Sequence, residues 1–263
     1  MARPIITSLS NPLVKQARAL HGHKARAESG LFLVEGIHHV GEAVEAGWNI
    51  ASLLYAPDLL ASDFGRRLVS RFDSTAQPVS TSVMESLADK ENPQGILAVV
   101  HQKRRKLDEL ESVHCGAAVV SPQDPGNVGA ILRTLDAVGA DALFLLDGGV
   151  DAYHPTSIRA SMGAIFWKPV VQCSFREFVA WSQREKIQRI GTSAHAKNDF
   201  RDFKPNRNFI LVLGSEQKGL SADQIETCDA AVSLPMRGRA SSLNLAVAAG
   251  ILLYQFVRLE WQQ

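Results

Sequence analysis

The clearest pattern in the sequence is the run Leu234-Pro235-Met236-Arg237-Gly238-Arg239-Ala240-Ser241-Ser242-Leu243-Asn244. The apolar residues 231–234 before it predict a strand, and the largely apolar residues 242–259 after it predict a long buried helix. Ser241 or Ser242 is predicted to cap that helix, because a serine hydroxyl accepts hydrogen bonds from the first backbone N–H groups. A strand, a glycine-bearing loop and a capped helix in succession are typical of an α/β protein.

The second half of the chain repeats this alternation of strand and helix. Short apolar runs predict strands at residues 117–121, 142–146, 189–193, 209–214 and 231–234. Helical patterns follow at residues 129–138, 175–185, 221–227 and 242–259. The run Phe209-Ile210-Leu211-Val212-Leu213 is apolar throughout, as expected for a strand that is covered on both faces of a parallel sheet. We therefore expect an α/β domain with helices on both faces of a parallel sheet.

The first hundred residues have a smaller α/β pattern of their own. Asn11 and Pro12 are predicted to begin a helix that covers residues 13–27. Further helices are predicted at residues 38–45 and after Pro57, and strands at residues 31–34, 52–55 and 95–100. The pattern indicates a separate N-terminal domain over residues 1–102.

A change of composition separates the two halves. Residues 103–113 include the run Lys103-Arg104-Arg105-Lys106 and several acids, with few apolar residues. Such a segment is typical of a linker. The second domain is therefore predicted to cover residues 114–263.

Composition excludes several classes of protein. Of the 263 residues, 46% are hydrophobic and 21% charged, and the net charge is +1, as in an ordinary soluble globular protein. Three cysteines without a CxxC pair argue against a disulfide framework or a zinc site, and no histidine spacing suggests a metal. No secretory signal is visible, and the longest apolar segment is shorter than the roughly 20 residues of a membrane span. We expect a cytoplasmic protein without metal or membrane association.

Three loops at the predicted carboxyl ends of strands, where open α/β sheets bind ligands, carry unusual polar residues. They are residues 122–134, residues 211–221 and residues 234–244. A phosphate loop or a Rossmann site is a poor interpretation, because neither GxxxxGK[ST] nor GxGxxG occurs. For Arg133 alone, a surface arginine on a capped helix explains the spacing equally well.

Taken together, the three loops resemble the signature motifs of the SpoU/TrmH family of RNA ribose 2′-O-methyltransferases, in the family's order and spacing. The matching residues are Asn127-x-Gly129-Ala130-Ile131-x-Arg133-Thr134, Leu213-Gly214-x-Glu216-x-x-Gly219-Leu220-Ser221 and Pro235-Met236-x-Gly238-x-x-x-Ser242-Leu243-Asn244. The N-terminal half is similar to the L30e-like substrate-binding domain of many members, through Ser10-Asn11-Pro12-x-Val14-Lys15 and Gly30-x-Phe32-x-Val34-Glu35-Gly36.

The chain departs from the family pattern at a few positions. Leu245 and Ala246 stand where valine and serine are frequent, which is conservative for a buried helix. His154 and Thr156 stand where many relatives carry asparagine and lysine. The second departure bears on RNA contacts and leaves the methyl-transfer motifs intact.

The resemblance implies a fold, a reaction and an assembly. The C-terminal domain would be a deep trefoil knot, a topology that is nearly absent elsewhere. The reaction would be methyl transfer from S-adenosylmethionine to a ribose 2′-hydroxyl of structured RNA, with ribosomal RNA favoured and transfer RNA as the alternative. The family is dimeric, so we expect a homodimer through the C-terminal domain. A different class, a non-catalytic RNA-binding or assembly factor on the same scaffold, is also considered.

The resemblance also assigns site residues. Catalytic roles fall on Arg133, Asn127, Glu216, Ser242 and Asn244, and the cofactor would lie against Leu213, Gly214, Leu234, Met236 and Leu243. Arg133 would contact the target phosphate and 2′-hydroxyl; as a permanently protonated guanidinium it suits stabilisation of an alkoxide better than a role as base. Glu216 could orient ribose or cofactor, or pair with Arg133.

Basic residues in the predicted first helix suggest where RNA is captured. The candidates are Lys15, Arg18, Lys24 and Arg26, with His21 and His23 nearby. Phosphate contact is the natural use of such a cluster, although a solvated helix face would show the same charges.

Overall fold

The computed structural model describes residues 3–72, 75–89 and 92–258, and the chain divides into two compact units. The N-terminal unit comprises Met1–Lys103 and Tyr153–Phe166, and the C-terminal unit comprises Arg104–Ala152 and Trp167–Gln263. The chain therefore passes between the units more than once, whereas the sequence suggested one linker at residues 103–113.

Secondary structure in the first hundred residues alternates between helix and strand. The helices are α1 (Pro12–Ala19), α2 (His23–Ser29), α3 (Ile37–Glu45), α4 (Asp63–Arg71) and α5 (Thr81–Leu87), and the strands are β1 (Leu31–Glu35), β2 (Ile50–Tyr55), β3 (Ala76–Pro78) and β4 (Ile96–His101). The sheet order is β1-β4-β2-β3, with β4 antiparallel to both neighbours and β2 parallel to β3. Val14, Leu54, Val83 and Leu97 belong to its apolar core.

The predicted helix over residues 13–27 is two helices in the structure. Its beginning is as predicted, because Asn11 Oδ1 accepts a hydrogen bond from the Leu13 N–H at 2.9 Å. Helix α1 ends at Ala19, and Gly22 precedes α2. The prediction of a single helix was therefore wrong, and the basic side chains of this region are divided between two short helices.

The rest of the chain contains the larger sheet. Its elements are β5 (Cys115–Val120), α6 (Pro125–Ala137), β6 (Ala142–Leu146), α7 (Pro155–Ala160), α8 (Ala164–Trp167), β7 (Val170–Cys173), α9 (Phe175–Arg184), β8 (Gln188–Thr192), β9 (Asn198–Asp199), β10 (Phe209–Leu213), α10 (Ala222–Glu226), β11 (Ala230–Ser233) and α11 (Leu245–Arg258). The strand order is β7-β6-β5-β10-β8-β11-β9, and neighbouring strands in it pair in parallel. The predicted parallel α/β domain is confirmed.

Helices cover both faces of this sheet. Ile210 belongs to the same apolar cluster as Phe178 of α9, whereas the neighbouring Phe209 packs its ring against Phe256 of α11, with ring centroids 5.9 Å apart. Successive side chains of a strand point to opposite faces. Helices α9 and α11 therefore lie on opposite faces, and β10 is buried along its whole length, which explains its unbroken apolar sequence.

Some element bounds differ from the prediction. Helix α6 begins at Pro125, behind the N-cap Asp124, rather than at residue 129. Helix α11 begins at Leu245 rather than 242, and residue 259 of the predicted helix lies outside the described residues. No described helix is long and apolar enough to cross a membrane, and the described part of the chain contains no group of three or more side chains placed to hold a metal ion.

Candidate active site

Three loops meet at the carboxyl edge of the parallel sheet. Strands β5, β10, β8 and β11 are successive neighbours, and because they are parallel their carboxyl ends lie along one edge. The loop after β5 leads to α6, the loop after β10 to α10, and the loop after β11 to α11. The first sequence motif lies in α6, directly after the first of these loops, and the other two motifs lie largely in the second and third loops.

Helix α11 is capped by Asn244, not by Ser241 or Ser242. Asn244 Oδ1 accepts hydrogen bonds from the backbone N–H groups of Ala246 at 2.9 Å and Val247 at 3.2 Å. The prediction of a serine cap was wrong, because asparagine satisfies the same N–H groups and stands directly before the helix. The Ser242 hydroxyl is consequently not used to cap the helix.

Asn127 links this cap to Glu216. Asn244 Nδ2 donates to Asn127 Oδ1 at 2.8 Å, and Asn127 Nδ2 donates to Glu216 Oε1 at 3.0 Å. The Glu216 carboxylate also accepts hydrogen bonds from the backbone N–H groups of Gln123 at 3.1 Å and Asp124 at 3.3 Å. One side chain from each motif therefore belongs to a single chain of hydrogen bonds.

The direction of this hydrogen-bond chain is set at both of its ends. An ionised carboxylate only accepts, so Asn127 presents its NH₂ group to Glu216 and its oxygen to Asn244. Asn244 must then donate to Asn127, which leaves its oxygen for the N–H groups of α11. Partial burial raises the pKa of Glu216, but the hydrogen bonds from Asn127 and the backbone outweigh it and hold that pKa below its ordinary value of 4.5. Glu216 is thus an anion at neutral pH.

A cavity of about 740 Å³ opens at these loops. Its lining includes all the residues predicted to bind a cofactor, namely Leu213, Gly214, Leu234, Met236 and Leu243, and also Glu216, Ser242 and Asn244. Met236 and Leu243 expose 37% and 39% of their surface, so the cavity offers uncovered apolar side chains next to polar ones. Such a mixture of apolar and polar groups is typical of small-molecule binding sites.

Position 214 must be glycine, because nearby backbone atoms of the chain leave no room for a side chain. A Cβ atom at this position would lie 1.9 Å from the carbonyl carbon of Gly219 and 2.2 Å from the nitrogen of Leu220. Gly219 has a φ of +65°, and its N–H donates to the Ser215 carbonyl at 2.9 Å. The two glycines therefore let the loop after β10 fold back on itself at the cavity wall.

The sequence analysis did not predict one wall of the cavity. The cavity is also lined by Thr192, the last residue of β8, and by Ser193, Ala194 and His195, which follow it. Strand β8 lies between β10 and β11 in the sheet, so its loop emerges between two of the three motif loops. In the sequence, this wall could have been suspected from a run of small and polar residues at the end of a buried strand. Only the strand order shows that these residues reach the cavity.

Arg133 takes no part in this hydrogen-bond chain. It is exposed on α6 and is not among the residues that line the cavity. Glu216 does not pair with it; within the described part of the chain, Arg133 makes no side-chain hydrogen bond or ion pair. The suggested Arg133–Glu216 pair was wrong, because Asn127 and two backbone N–H groups occupy the carboxylate.

The predicted RNA-binding residues of the N-terminal unit divide into two groups. Lys15, Arg18 and Lys24 are exposed, with Lys24 near Glu28 at 3.8 Å. Arg26 is only 1% exposed, and its Nη1 donates to the carbonyls of Leu20 and His21, both at 2.8 Å. The assignment of Arg26 to RNA binding was wrong, because its guanidinium is used to close the turn between α1 and α2.

Comparison with known proteins identifies the family. Residues 116–254 match the model of the SpoU rRNA Methylase family, and residues 11–98 match the MRM3-like substrate binding domain. The first match covers the parallel sheet except for Cys115, and it includes all three sequence motifs. The chain belongs to the SpoU rRNA methylase family.

Named relatives agree over nearly the whole chain. The 23S rRNA (uridine(2479)-2′-O)-methyltransferase of Streptomyces viridochromogenes is 34% identical and covers 94% of this chain and 90% of its own length. The 23S rRNA (guanosine(2553)-2′-O)-methyltransferase RlmP of Bacillus subtilis is 33% identical over 95% of this chain and 97% of its own.

Solved structures show the same fold. An AdoMet-bound rRNA methyltransferase from Sinorhizobium meliloti superposes with a TM-score of 0.89 at 30% identity, over 99% of both chains. The SpoU methyltransferase AviRb from Streptomyces viridochromogenes, in complex with AdoMet, superposes with a TM-score of 0.87 at 33% identity, over 95% of this chain and 98% of its own.

Proposed function

We propose that this protein transfers a methyl group from S-adenosylmethionine to a ribose 2′-hydroxyl of 23S ribosomal RNA. The observation that carries the proposal is the hydrogen-bond chain Asn244–Asn127–Glu216, which joins all three family motifs beside one cavity. Relatives that cover both halves of the chain are named as 23S rRNA 2′-O-methyltransferases.

The cavity fits S-adenosylmethionine, the cofactor named with the Sinorhizobium and Streptomyces structures. Leu213, Met236 and Leu243 would contact the adenine ring, and the backbone at Gly214 and Leu234 would hold polar groups. A volume of about 740 Å³ accommodates a ligand of this size. When bound, the cofactor supplies a methyl group already activated on a positively charged sulfur, which the ribose oxygen attacks in line.

Arg133 is the residue that we assign to the reacting nucleotide. Its exposed guanidinium, without a partner in the described ranges, is available to bind the phosphate next to the target ribose and to stabilise the developing negative charge on the 2′-oxygen. A guanidinium remains protonated, so Arg133 orients and stabilises rather than removes the proton, which passes to solvent.

Glu216, Asn127 and Asn244 act by holding the loops in place. Glu216 already accepts hydrogen bonds from Asn127 and from two backbone N–H groups, and its lowered pKa makes it a poor proton acceptor. We assign it an anchoring role. Ser242 lines the cavity and does not cap the helix, so its hydroxyl is available to ligand.

Ribosomal RNA is favoured over transfer RNA by the extent of the matches. The relatives named for 23S rRNA match more than nine-tenths of this chain. A structure named for 2-OH methylation of C/U34 on tRNA matches 57% of it, at 25% identity and a TM-score of 0.53. We propose that the N-terminal unit, with Lys15, Arg18 and Lys24 exposed, captures the ribosomal RNA.

We further propose that the protein is a cytoplasmic homodimer with a trefoil knot in its C-terminal domain. Val247, Ile251 and Tyr254 recur at helical spacing on α11 and expose 50%, 39% and 49% of their surface. An uncovered apolar stripe on a helix supports burial against a second copy. The knot and the cytoplasmic location rest on the family resemblance.

Calorimetric titration of S-adenosylmethionine, followed by methyl transfer to total RNA, tests the proposal. We expect cofactor binding and transfer to 23S rRNA, and we expect Arg133→Ala to bind cofactor normally while losing most of its turnover. Good RNA binding without transfer by the wild type would favour the non-catalytic assembly factor instead. Full activity of Arg133→Ala would overturn the assignment of that residue.

A further inference from the structure

Three basic residues, Lys218, Arg237 and Arg239, lie in loops that line the cavity. Lys218 lines the cavity directly, and Arg237 and Arg239 lie in the loop between Met236 and Ser241, which both line it. All three basic side chains are exposed. These basic residues therefore belong to two of the loops that form the cavity wall.

The acids around these basic side chains are engaged elsewhere. In the described ranges, Lys218, Arg237 and Arg239 form no ion pair within 4 Å and no side-chain hydrogen bond. The carboxylate whose charge acts on Arg237 is Asp199, and Arg201 already donates to both of its oxygens. The three basic side chains therefore have no close ion pair in the described ranges, and Arg237 interacts with Asp199 only at longer range.

Another exposed arginine of the same unit is paired. Arg184 contacts Asp108 at 2.6 Å and Glu185 at 3.0 Å. The acid at the mouth, Glu216, directs its carboxylate to Asn127 and the backbone. Unpaired arginine at a ligand cavity is suited to phosphate, which it binds with two parallel hydrogen bonds.

We infer that Lys218, Arg237 and Arg239 form a phosphate-binding surface, which holds the RNA backbone next to the target nucleotide. This inference rests on the proposed function, because the anion is assigned as an RNA phosphate. The C-terminal unit thus contributes RNA affinity of its own, in addition to the basic residues of the N-terminal unit. Gly238 stands between the two arginines, and the space beside it is open, since a Cβ there would meet no atom within 4 Å.

The test is the salt dependence of RNA binding by the full-length protein. A transcript of 23S rRNA is titrated with wild type and with R237A/R239A at several salt concentrations, without cofactor. We expect weaker binding and a slope of log K against log salt that is shallower by about 0.7 to 0.9 for each phosphate that the variant no longer neutralises. Arg184→Ala, which removes a paired arginine of the same unit, is expected to keep the wild-type slope.

Calorimetry with S-adenosylmethionine separates RNA binding from damage to the cavity. The inference holds if R237A/R239A keeps its cofactor affinity and binds RNA more weakly. It is overturned if the RNA slope is unchanged, or if only cofactor affinity falls, which would assign the arginines to the cofactor's carboxylate. A wild type that binds RNA with the expected slope but transfers no methyl group would refute the proposed function and leave this surface standing.

Discussion

Asn244 donates its side-chain amide to the oxygen of Asn127 across 117 positions of sequence, at 2.8 Å. Because Asn244 also caps α11 and Asn127 also holds Glu216, two amides connect the N-terminal ends of α11 and α6 to the loop after β10. The cavity wall is therefore held by a small number of directional bonds, each of which can be removed by a single substitution.

The two functions of Asn244 can be separated by substitution. Asn244→Ala removes both the cap and the donor, and should destabilise the protein by about 0.5 to 2 kcal/mol. Asn244→Asp keeps an oxygen for the cap but presents a second acceptor to Asn127. We expect both variants to lose methyl transfer. Only Asn244→Ala should lose the cap, which hydrogen exchange at the N–H groups of Ala246 and Val247 would show. Faster exchange at these N–H groups in both variants would contradict the division of roles.

The carboxylate of Glu216 should make stability depend on acid pH. Its folded pKa is lowered, so its contribution is present above the unfolded pKa and is lost as pH falls through the folded pKa. Glu216→Gln should cost about 1 kcal/mol at pH 7, since the group is partly exposed and its hydrogen bonds are screened. The free energy of unfolding is measured for wild type and Glu216→Gln from pH 7 to pH 3, and the difference between them should disappear as the pH falls. A difference that stays constant would argue against an ionised Glu216.

Arg26 should behave as a core residue. Arg26→Met leaves the carbonyls of Leu20 and His21 without this donor, and should cost about 1 to 3 kcal/mol in a denaturant titration. Lys15→Ala, at an exposed position, should change stability by less than about 0.5 kcal/mol and should weaken RNA binding. The reverse pattern would restore Arg26 as an RNA-binding residue.

Trp48 is predicted to hold the segment Tyr153–Phe166 within the N-terminal unit. Its Nε1 donates to the Phe166 carbonyl at 2.9 Å, and its ring packs on Phe166 and Tyr153. Trp48→Phe keeps an aromatic ring but removes the donor, which should cost about 1 to 3 kcal/mol. Hydrogen exchange should increase in residues 153–166; unchanged exchange there would show that the hydrogen bond is dispensable.

The apolar stripe on α11 predicts that a charged substitution within it will separate the dimer into monomers. Ile251→Asp places a charge in the proposed dimer interface and should shift sedimentation from dimer to monomer. Ala180→Asp introduces the same charge at an exposed position of α9 and serves as the control. A wild type that sediments as a monomer would remove the proposed interface.

The cysteines should be inert in the folded protein. Burial, with Glu177 and Asp147 nearby, raises the pKa of the Cys173 thiol to about 12, and burial raises the pKa of Cys228 to about 11. Cys115 is buried as well. Because the thiolate is the reactive form, a thiol reagent at about pH 8, near the ordinary thiol pKa, should label the native protein slowly and the unfolded protein fast. Rapid labelling of native Cys173 would contradict the burial.

Local patterns in the sequence predicted those features that depend on local chemistry. The unbroken apolar run of β10 indicated a strand buried on both faces, and the motif residues indicated which loops form the site. Ser241, Ser242 and Asn244 are all good caps, so propensity alone could not choose the one from which the helix begins. Charge alone could not show that Arg26 turns inward, because that depends on the turn between α1 and α2.

Other features depend on contacts between distant segments. Residues 192–195 become a cavity wall because β8 lies between β10 and β11. Residues 153–166 join the N-terminal unit, where Phe166 is bonded to Trp48, a partner 118 positions away. Neither arrangement leaves a periodic pattern in the sequence.

Methyl transfer to a ribose is tested by mapping the product on unmodified 23S rRNA. The purified protein is incubated with the RNA and S-adenosylmethionine, and the RNA is then hydrolysed in alkali, which cannot cleave next to a ribose that lacks a free 2′-hydroxyl. We predict a protected position in the wild-type reaction that is absent with Arg133→Ala. Methyl groups found on a base, or no protected position while RNA and cofactor both bind, would contradict the claim.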